Sequence, residues 1–238
     1  MIKWLAFAVL ACILVGVLAV LALRWINPPT SAFMLHAQMQ ASREHERGYR
    51  THYEWVSLEQ ISPNAAIAVI ASEDQQFPFH TGFDLHSIRE AVRRNASSKH
   101  VHGASTITQQ VAKNLFLWPG QTYLRKGIEA GLTVLIEALW PKERILETYL
   151  NIAEFGPGIY GVEAAAHAFF HEPAARLSRS DAALLAAVLP NPRILHVERP
   201  SPYVRSRQEW ILGQMRQLGG AAYLQEIEAN GAPARSRP

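Results

Sequence analysis

The stretch from Tyr123 to Leu150, YLRKGIEAGLTVLIEALWPKERILETYL, decides the fold class. Ile128, Leu132, Leu135 and Leu139 recur at spacings of three and four, the period that gathers apolar side chains on one face of an α-helix. Pro141 cannot continue that helix but suits the start of another. The spacing therefore predicts one helix over 123–140 and a second from Pro141 through Leu150. The same period holds on both sides. Upstream, Ser62 and Pro63 read as an N-cap and a first-turn proline ahead of Ile67 and Ile70. Asp84 can cap a helix carrying Leu85, Ile88 and Val92, and Thr106 to Phe116 places Ile107, Val111 and Leu115 on one face. Downstream, Ser178 and Asp181 form a cap-like pair before Ala182–Leu189, which Pro190 ends. Alternating strand patterns are scarce, so the expected class is mostly α.

The first segment differs from the rest. Trp4 to Leu23 is a run of twenty residues without a charged or strongly polar side chain, about 30 Å long as a helix, which matches a bilayer core. Lys3 and Arg24 bracket it, with Trp4 and Trp25 where interfacial aromatics belong. A cleaved signal would have an apolar region of only about 7–15 residues, and Asn27-Pro28-Pro29 follows instead of a cleavage site. The expectation is one uncleaved transmembrane anchor over residues 1–26, with Cys12 as a small lipid-facing residue. Residues 27–60 are expected as a stalk, stiffened by Pro28-Pro29 and kept near lipid by Phe33, Met34, Leu35 and Met39. A helical domain over 61–218 and a polar tail over 219–238 complete the expected organisation. Lys3 against Arg24, Arg43, Arg47 and Arg50 leaves the orientation undecided by charge.

Composition narrows the function classes. With 49% apolar and 18% charged residues among 238, the chain is neither disordered nor a coiled coil. A net charge of +3 is too mild to argue for nucleic acid. One cysteine excludes an internal disulfide framework and a cysteine-based zinc site.

Three clusters carry the chemistry. Glu73 and Asp74 fall at the expected C-terminal end of the Ile67/Ile70 helix, where the dipole disfavours carboxylates by about 0.3–1 kcal/mol each. The same field raises a carboxylate pKa and makes it a better base, so the pair reads either as a solvated helix end or as part of a site. The aperiodic run that follows, from Gln75 to Asp84, mixes aromatics, His80 and Gly82, as site-forming loops do. Next, Arg89, Arg93, Arg94, Lys99, Lys113, Arg125 and Lys126 stand against Glu90 alone, a local net charge of +6. Within that stretch the Gly103-Ala104-Ser105-Thr106 turn leads into a helix carrying Gln109, Gln110, Lys113 and Asn114, a start suited to phosphate. It lacks interleaved aromatics or a recognition motif, so a lipid diphosphate fits better than nucleic acid. Third, Arg125 and Lys126 at a helix start oppose the dipole, and Arg125 before Glu129 is the poorer order for an i, i+4 pair. That arrangement reads either as a surface ion pair or as a partly buried site element. His100-Val101-His102 has no acidic ligand nearby, and no histidine metal site is assigned.

These residues resemble a known family. Glu73-Asp74-x-x-Phe77-x-x-His80-x-Gly82-x-Asp84 is similar to the first signature of the peptidoglycan glycosyltransferases of family 51. The run from Gly103 to Asn114 resembles the second, and Arg125-Lys126-x-x-Glu129 the third. Lys142 to Asn151 running into Phe155-Gly156 and Tyr160 to Ala165 resembles the fourth, and Ala182 to Pro192 the fifth. The signatures keep family order over 73–192. No room follows for a transpeptidase domain, so a monofunctional member is expected. Gln121 stands near the place where many relatives carry an arginine.

The resemblance implies a lysozyme-like helical glycosyltransferase domain that polymerises lipid II into β-1,4-linked glycan, with inversion at the MurNAc anomeric carbon and release of undecaprenyl diphosphate. It implies Glu73 and Glu129 as catalytic carboxylates, Glu73 being the general base. Lys113, Arg125 and Lys126 would hold diphosphate, and Ser105, Thr106, Gln109, Gln110, Asn114, Asp74 and His80 would bind substrate. Glu129 would orient the cations or a Mg²⁺ or Mn²⁺ ion, and no organic cofactor is expected. The implied setting is the bacterial inner membrane, with a cytoplasmic N-terminus, a periplasmic catalytic domain, and cell-division or elongation proteins as partners. A lysozyme-type hydrolase using Glu73 as proton donor, or a non-catalytic membrane-tethered scaffold, are the rival readings.

Overall fold

The computed structural model describes residues 2–97 and 105–231. Lys99, the His100-Val101-His102 pair and the Gly103-Ala104 turn lie outside the described residues. In chain order the helices are α1 (Ile2–Leu23), α2 (Ala32–Arg43), α3 (Pro63–Glu73), α4 (Leu85–Ser97), α5 (Ile107–Phe116), α6 (Tyr123–Leu139) and α7 (Lys142–Ile152). After these come α8 (Val162–Phe170), α9 (Arg179–Val188), α10 (Pro202–Gln217) and α11 (Gln225–Gly231). Three short strands, β1 (His52–Tyr53), β2 (Glu154–Gly156) and β3 (Ile159–Tyr160), form one sheet in the order β1-β3-β2. The molecule is mostly helical, as the periodicity predicts.

Two helices rich in small apolar residues make the centre. Every residue from Ala65 to Ala71 in α3 and from Ala182 to Val188 in α9 is buried, the pattern of helices enclosed on all sides. Alanines let α3 pack directly on α9, and α10 closes over both with Val204, Ile211 and Met215. The expected caps are in place. Ser62 accepts from the Asn64 N–H ahead of Pro63, Asp84 from the His86 and Ser87 N–H groups, and Ser178 from the Asp181 N–H.

A second layer, α5 between α6 and α7, carries much of the site. Here the structure differs from the pattern. Ile128 is exposed and Leu132, Leu135 and Leu139 are only half-buried, while α6 turns Arg125, Glu129, Thr133 and Ile136 inward. Ion pairing and the Thr133 hydroxyl, which donates to the Glu129 carbonyl at 2.8 Å, make that polar stripe buriable.

The stretch expected as a stalk is part of the packed body. Ser31 caps α2, and Met34, Ala37 and Ala41 are buried. The Tyr53 hydroxyl donates to the Pro28 carbonyl at 2.6 Å, and β1 pairs in parallel with β3, His52 opposite Ile159. Asn151 on α7 holds the Val56 backbone through both its amide groups, at 2.9 Å each. The reason lies at Gly158, where φ is +75° and an added Cβ would sit 2.5 Å from the Arg50 carbonyl oxygen, so only glycine admits this chain so closely. The expected polar tail is likewise folded up to residue 231: α11 buries Ile227, and the Tyr223 hydroxyl donates to the Gln75 carbonyl at 2.6 Å.

The last turns of α1 rest on the body. Val20 is fully buried, the Trp140 indole N–H donates to its carbonyl at 2.8 Å, and Arg144 donates to the carbonyls of Leu23 and Ile26. The side chains of Ile2, Leu5, Ala6, Ala8, Val9 and Cys12 lie outside the described residues. Among the described residues no helix is long and apolar enough to cross a membrane.

Candidate active site

Glu73 is the last residue of α3, and its side chain is 14% exposed. Gln110, on α5, donates to its Oε2 at 2.9 Å, and Tyr149, on α7, donates to the Gln110 carbonyl oxygen at 3.2 Å. Arg207 reaches its Oε1 at 3.5 Å from α10. Burial pushes the Glu73 carboxyl above the usual carboxylate range, against the opposing pull of the Gln110 hydrogen bond and the charges of Arg207 and Lys113. Burial, with the nearby Glu73 charge, also holds the Tyr149 phenol well above its ordinary value. Glu73 is therefore a partly desolvated carboxylate held by side chains of α5 and α10.

Asp74 plays a different part. Its carboxylate is almost fully buried, accepting the Ile107 N–H at 2.9 Å and His80 Nε2 at 2.9 and 3.0 Å. His80 Nδ1 accepts the Gly82 N–H at 3.1 Å, which places the imidazole proton on Nε2, donating to Asp74. Lys142 donates to the His80 carbonyl at 2.6 Å. Both residues line the cleft, yet their polar atoms are taken up in joining the 75–84 loop to the start of α5. Gly82, at φ +90°, belongs to the same joint: a Cβ there would meet Thr133 Cγ2 at 2.7 Å.

At the start of α5 Thr106 and Gln109 form a reciprocal capping box, and the Thr106 hydroxyl donates to the Gly82 carbonyl at 2.7 Å. Gln109 is buried in that role, whereas Gln110 faces Glu73. One turn along α5, Lys113 stands 5.4 Å from the centre of the Phe33 ring, contributed by α2. Burial lowers the Lys113 pKa, the Glu129 charge opposes this, and Arg125 and Lys126 add to the lowering. Asn114 presents a buried side-chain oxygen without a partner.

On α6, Arg125 Nη1 lies 2.6 Å from Glu129 Oε2, and Lys126 pairs with the other carboxylate oxygen. This is a buried ion cluster rather than a surface pair: Arg125 and Glu129 are both enclosed, while half of the Lys126 side chain reaches solvent and its Nζ is 3.5 Å from Ser105 Oγ. Arg125 Nε is buried and unpartnered. Two cations on one carboxylate, with Lys113 within reach of its charge, leave a net positive charge with spare donors, which is what a diphosphate requires. Gln121 is exposed. No three carboxylate, imidazole or thiol groups converge among the described residues. With both Glu129 oxygens occupied by cations, this carboxylate does not fit as a ligand for Mg²⁺ or Mn²⁺.

The structure thus brings Glu73 and Gln110 together with Lys113 and the Arg125/Lys126/Glu129 cluster along one side of α5. Sequence reasoning missed Arg207. A single arginine in an amphipathic helix beyond the fifth signature carries no local mark, and only the packing of α10 on α3 brings it to Glu73. Phe33, from the segment expected near lipid, meets Lys113.

Comparison with known proteins agrees with this arrangement. The transglycosylase family model matches residues 39–216, beginning within the stretch expected as a stalk. The chain is 57% identical over 199 residues to the biosynthetic peptidoglycan transglycosylase of Escherichia coli, covering 83% of this chain and 82% of that one. It is 53% identical over 228 residues to the protein of that name from Salmonella schwarzengrund, with 92% and 94% covered. The one from Xylella fastidiosa is 52% identical over 211 residues, with 89% and 87% covered. With its carboxylate and cation cluster joined by α5 and a match over most of its length, the chain belongs to the transglycosylase family.

Proposed function

We propose that the chain is a peptidoglycan glycosyltransferase that polymerises lipid II, and that Glu73 is its general base. The observation that carries this reading is a buried carboxylate with a raised pKa, linked through α5 to Lys113 and to the Arg125 and Lys126 pair on Glu129. A sugar hydroxyl is a poor nucleophile at neutral pH and needs a base, whereas diphosphate leaves readily once its charge is neutralised. Glu73 takes the proton of the acceptor GlcNAc 4-hydroxyl as its oxygen attacks the MurNAc anomeric carbon from the face opposite the diphosphate. The C1–O bond to diphosphate breaks with its electron pair, the configuration inverts from α to β, and Lys113, Arg125 and Lys126 receive the developing charge. Glu129 acts by holding Arg125 and Lys126 in place. No step is routed through a protein-held metal.

Membrane attachment is part of the proposal. The uncharged run Trp4–Leu23 forms helix α1, whose Phe7, Leu10, Ile13 and Val15 side chains are exposed, and Leu124, Ile128 and Val134 are exposed on α6, against which α1 rests. Exposed apolar surface on adjoining helices suits lipid. In this reading the N-terminus is cytoplasmic and the catalytic body lies on the periplasmic side of the inner membrane, where a long-chain lipid substrate is held beside the cleft. Cell-division or elongation proteins would recruit it there.

The test is incubation of detergent-solubilised protein with labelled lipid II, resolved by glycan length. A polymer ladder lost on Glu73→Gln supports the reading. Cleavage of preformed glycan with no polymer would make the chain a hydrolase and reverse the role of Glu73.

A further inference from the structure

We propose that Trp210 and Phe79 form a sugar-binding platform in the part of the cleft that the three cations do not line, where a pyranose ring of the glycan stacks beside Glu73. This rests on the glycosyltransferase reading and names a subsite within it. The cleft, about 930 Å³, is walled by the 71–87 segment, Glu90, Ser105 and, from α10, Trp210. Helix α10 runs along the Glu73–Gln75 segment. Arg207, one turn before Trp210, reaches Glu73 at 3.5 Å, and Gln214, one turn after it, accepts from the Gln75 amide at 2.9 Å. Trp210 therefore sits between two contacts with the segment that carries the catalytic carboxylate.

Trp210 is 48% exposed and Phe79 53%, whereas Val204, Ile211 and Met215 of α10 are buried. Phe79 is held edge-on to Tyr223, ring centres 6.2 Å apart, and Tyr223 is itself tied to the Gln75 carbonyl. Part of this aromatic surface is thus fixed in an open cleft, and covering it with a ligand recovers its apolar area. Charge points to the ligand. Among the described residues no lysine or arginine lines this part of the cleft, whereas Glu73 and Glu90 do, which disfavours a diphosphate there. The polar rim of Gln76, His86 and Glu90 does not suit an acyl chain. A neutral pyranose offers an apolar C–H face to the rings and hydroxyls to the rim. Its source is either the acceptor sugar or a sugar of the growing strand.

The experiment uses the full chain in detergent. Calorimetric titration with a lipid-free GlcNAc–MurNAc tetrasaccharide is expected to show binding that weakens about tenfold in Trp210→Ala and stays within about threefold of wild type in Trp210→Phe, which keeps an aromatic face. Phe79→Ala, on the exposed side of the cleft, is expected to weaken binding in the same direction, and thermal melting verifies that each variant is folded. With lipid II, slower first coupling in Trp210→Ala assigns the platform to the acceptor sugar. An unchanged first coupling with a shorter ladder assigns it to the strand. Folded Trp210→Ala and Phe79→Ala variants that bind the tetrasaccharide and build the ladder as wild type does would overturn the platform while leaving the glycosyltransferase reading intact. A wild-type protein that makes no polymer would overturn that reading instead.

Discussion

Gln110 holds Glu73 by donating to its Oε2 at 2.9 Å, and is itself oriented by the Tyr149 hydroxyl on its carbonyl oxygen at 3.2 Å. The amide cannot rotate without losing both bonds. This matters because burial, helped by the Asp74 charge, raises the Glu73 pKa, and the Gln110 hydrogen bond is the foremost influence lowering it again. Burial and the Gln110 hydrogen bond thus pull the Glu73 pKa in opposite directions.

Gln110→Ala is expected to displace the acid limb of the pH–rate profile towards higher pH. Losing a donor to the charged form raises the pKa further, so a smaller fraction of Glu73 is ionised near neutrality. Lipid II turnover should fall on the acid side of the profile and recover as pH rises, since a hydrogen bond to the charged form favours ionisation. An acid limb that stays in place in the variant would refute this role.

Glu73→Gln is expected to be inactive but more stable at neutral pH. The folded-state pKa lies above the unfolded one, so stability is fully present below the unfolded pKa and is lost as pH rises through the folded pKa. The penalty of ionising a buried group grows as pH rises above the unfolded pKa, and glutamine removes it while its carbonyl still accepts from Gln110. Melting curves at pH 7 and pH 4 should show a higher Tm for the variant only at pH 7, about 2–4 °C for each kcal/mol relieved.

The helical framework was legible because caps and apolar periods are local. Ser62-Pro63, Asp84, Thr106 and Ser178 each start a helix where the sequence places one. The inward face of α6 was not legible, since burying Arg125 and Glu129 depends on each neutralising the other and on α5 covering them. The packing of the expected stalk was hidden for a similar reason: α2 rests on α5, and β1 pairs with β3, His52 opposite Ile159, elements far along the chain. Within the first signature, sequence alone could not separate Glu73, which faces the cleft, from Asp74, which binds the Ile107 N–H and His80. Arg207 escaped notice because only tertiary packing distinguishes it from the other arginines of α10.

Lys113→Met is expected to remove turnover while raising Tm at neutral pH. Burial lowers the Lys113 pKa, so holding it charged costs stability below the folded pKa, and that cost fades as pH rises through the folded pKa towards the unfolded one. Methionine keeps the stem beside Phe33 without the charge. Loss of one cation from the diphosphate site should lower kcat by about 10²–10³-fold. A variant that melts below wild type at pH 7 would show that Lys113 is structural.

Asp74→Ala separates holding the fold from binding substrate. Its oxygens accept from His80 and from the first N–H of α5, in a place with almost no solvent access. Removing it leaves those buried donors unpaired and frees the 75–84 loop from α5, at an expected cost of about 3–5 kcal/mol. Asp74→Asn keeps one acceptor oxygen for the Ile107 N–H but loses the charge facing His80, so its melting point should fall between alanine and wild type. Chemical denaturation is the decisive readout. A lost polymer ladder with an unchanged unfolding midpoint would return Asp74 to the substrate-binding residues, whereas a midpoint that falls in the order wild type, Asn, Ala identifies it as the joint that carries Glu73 to the start of α5.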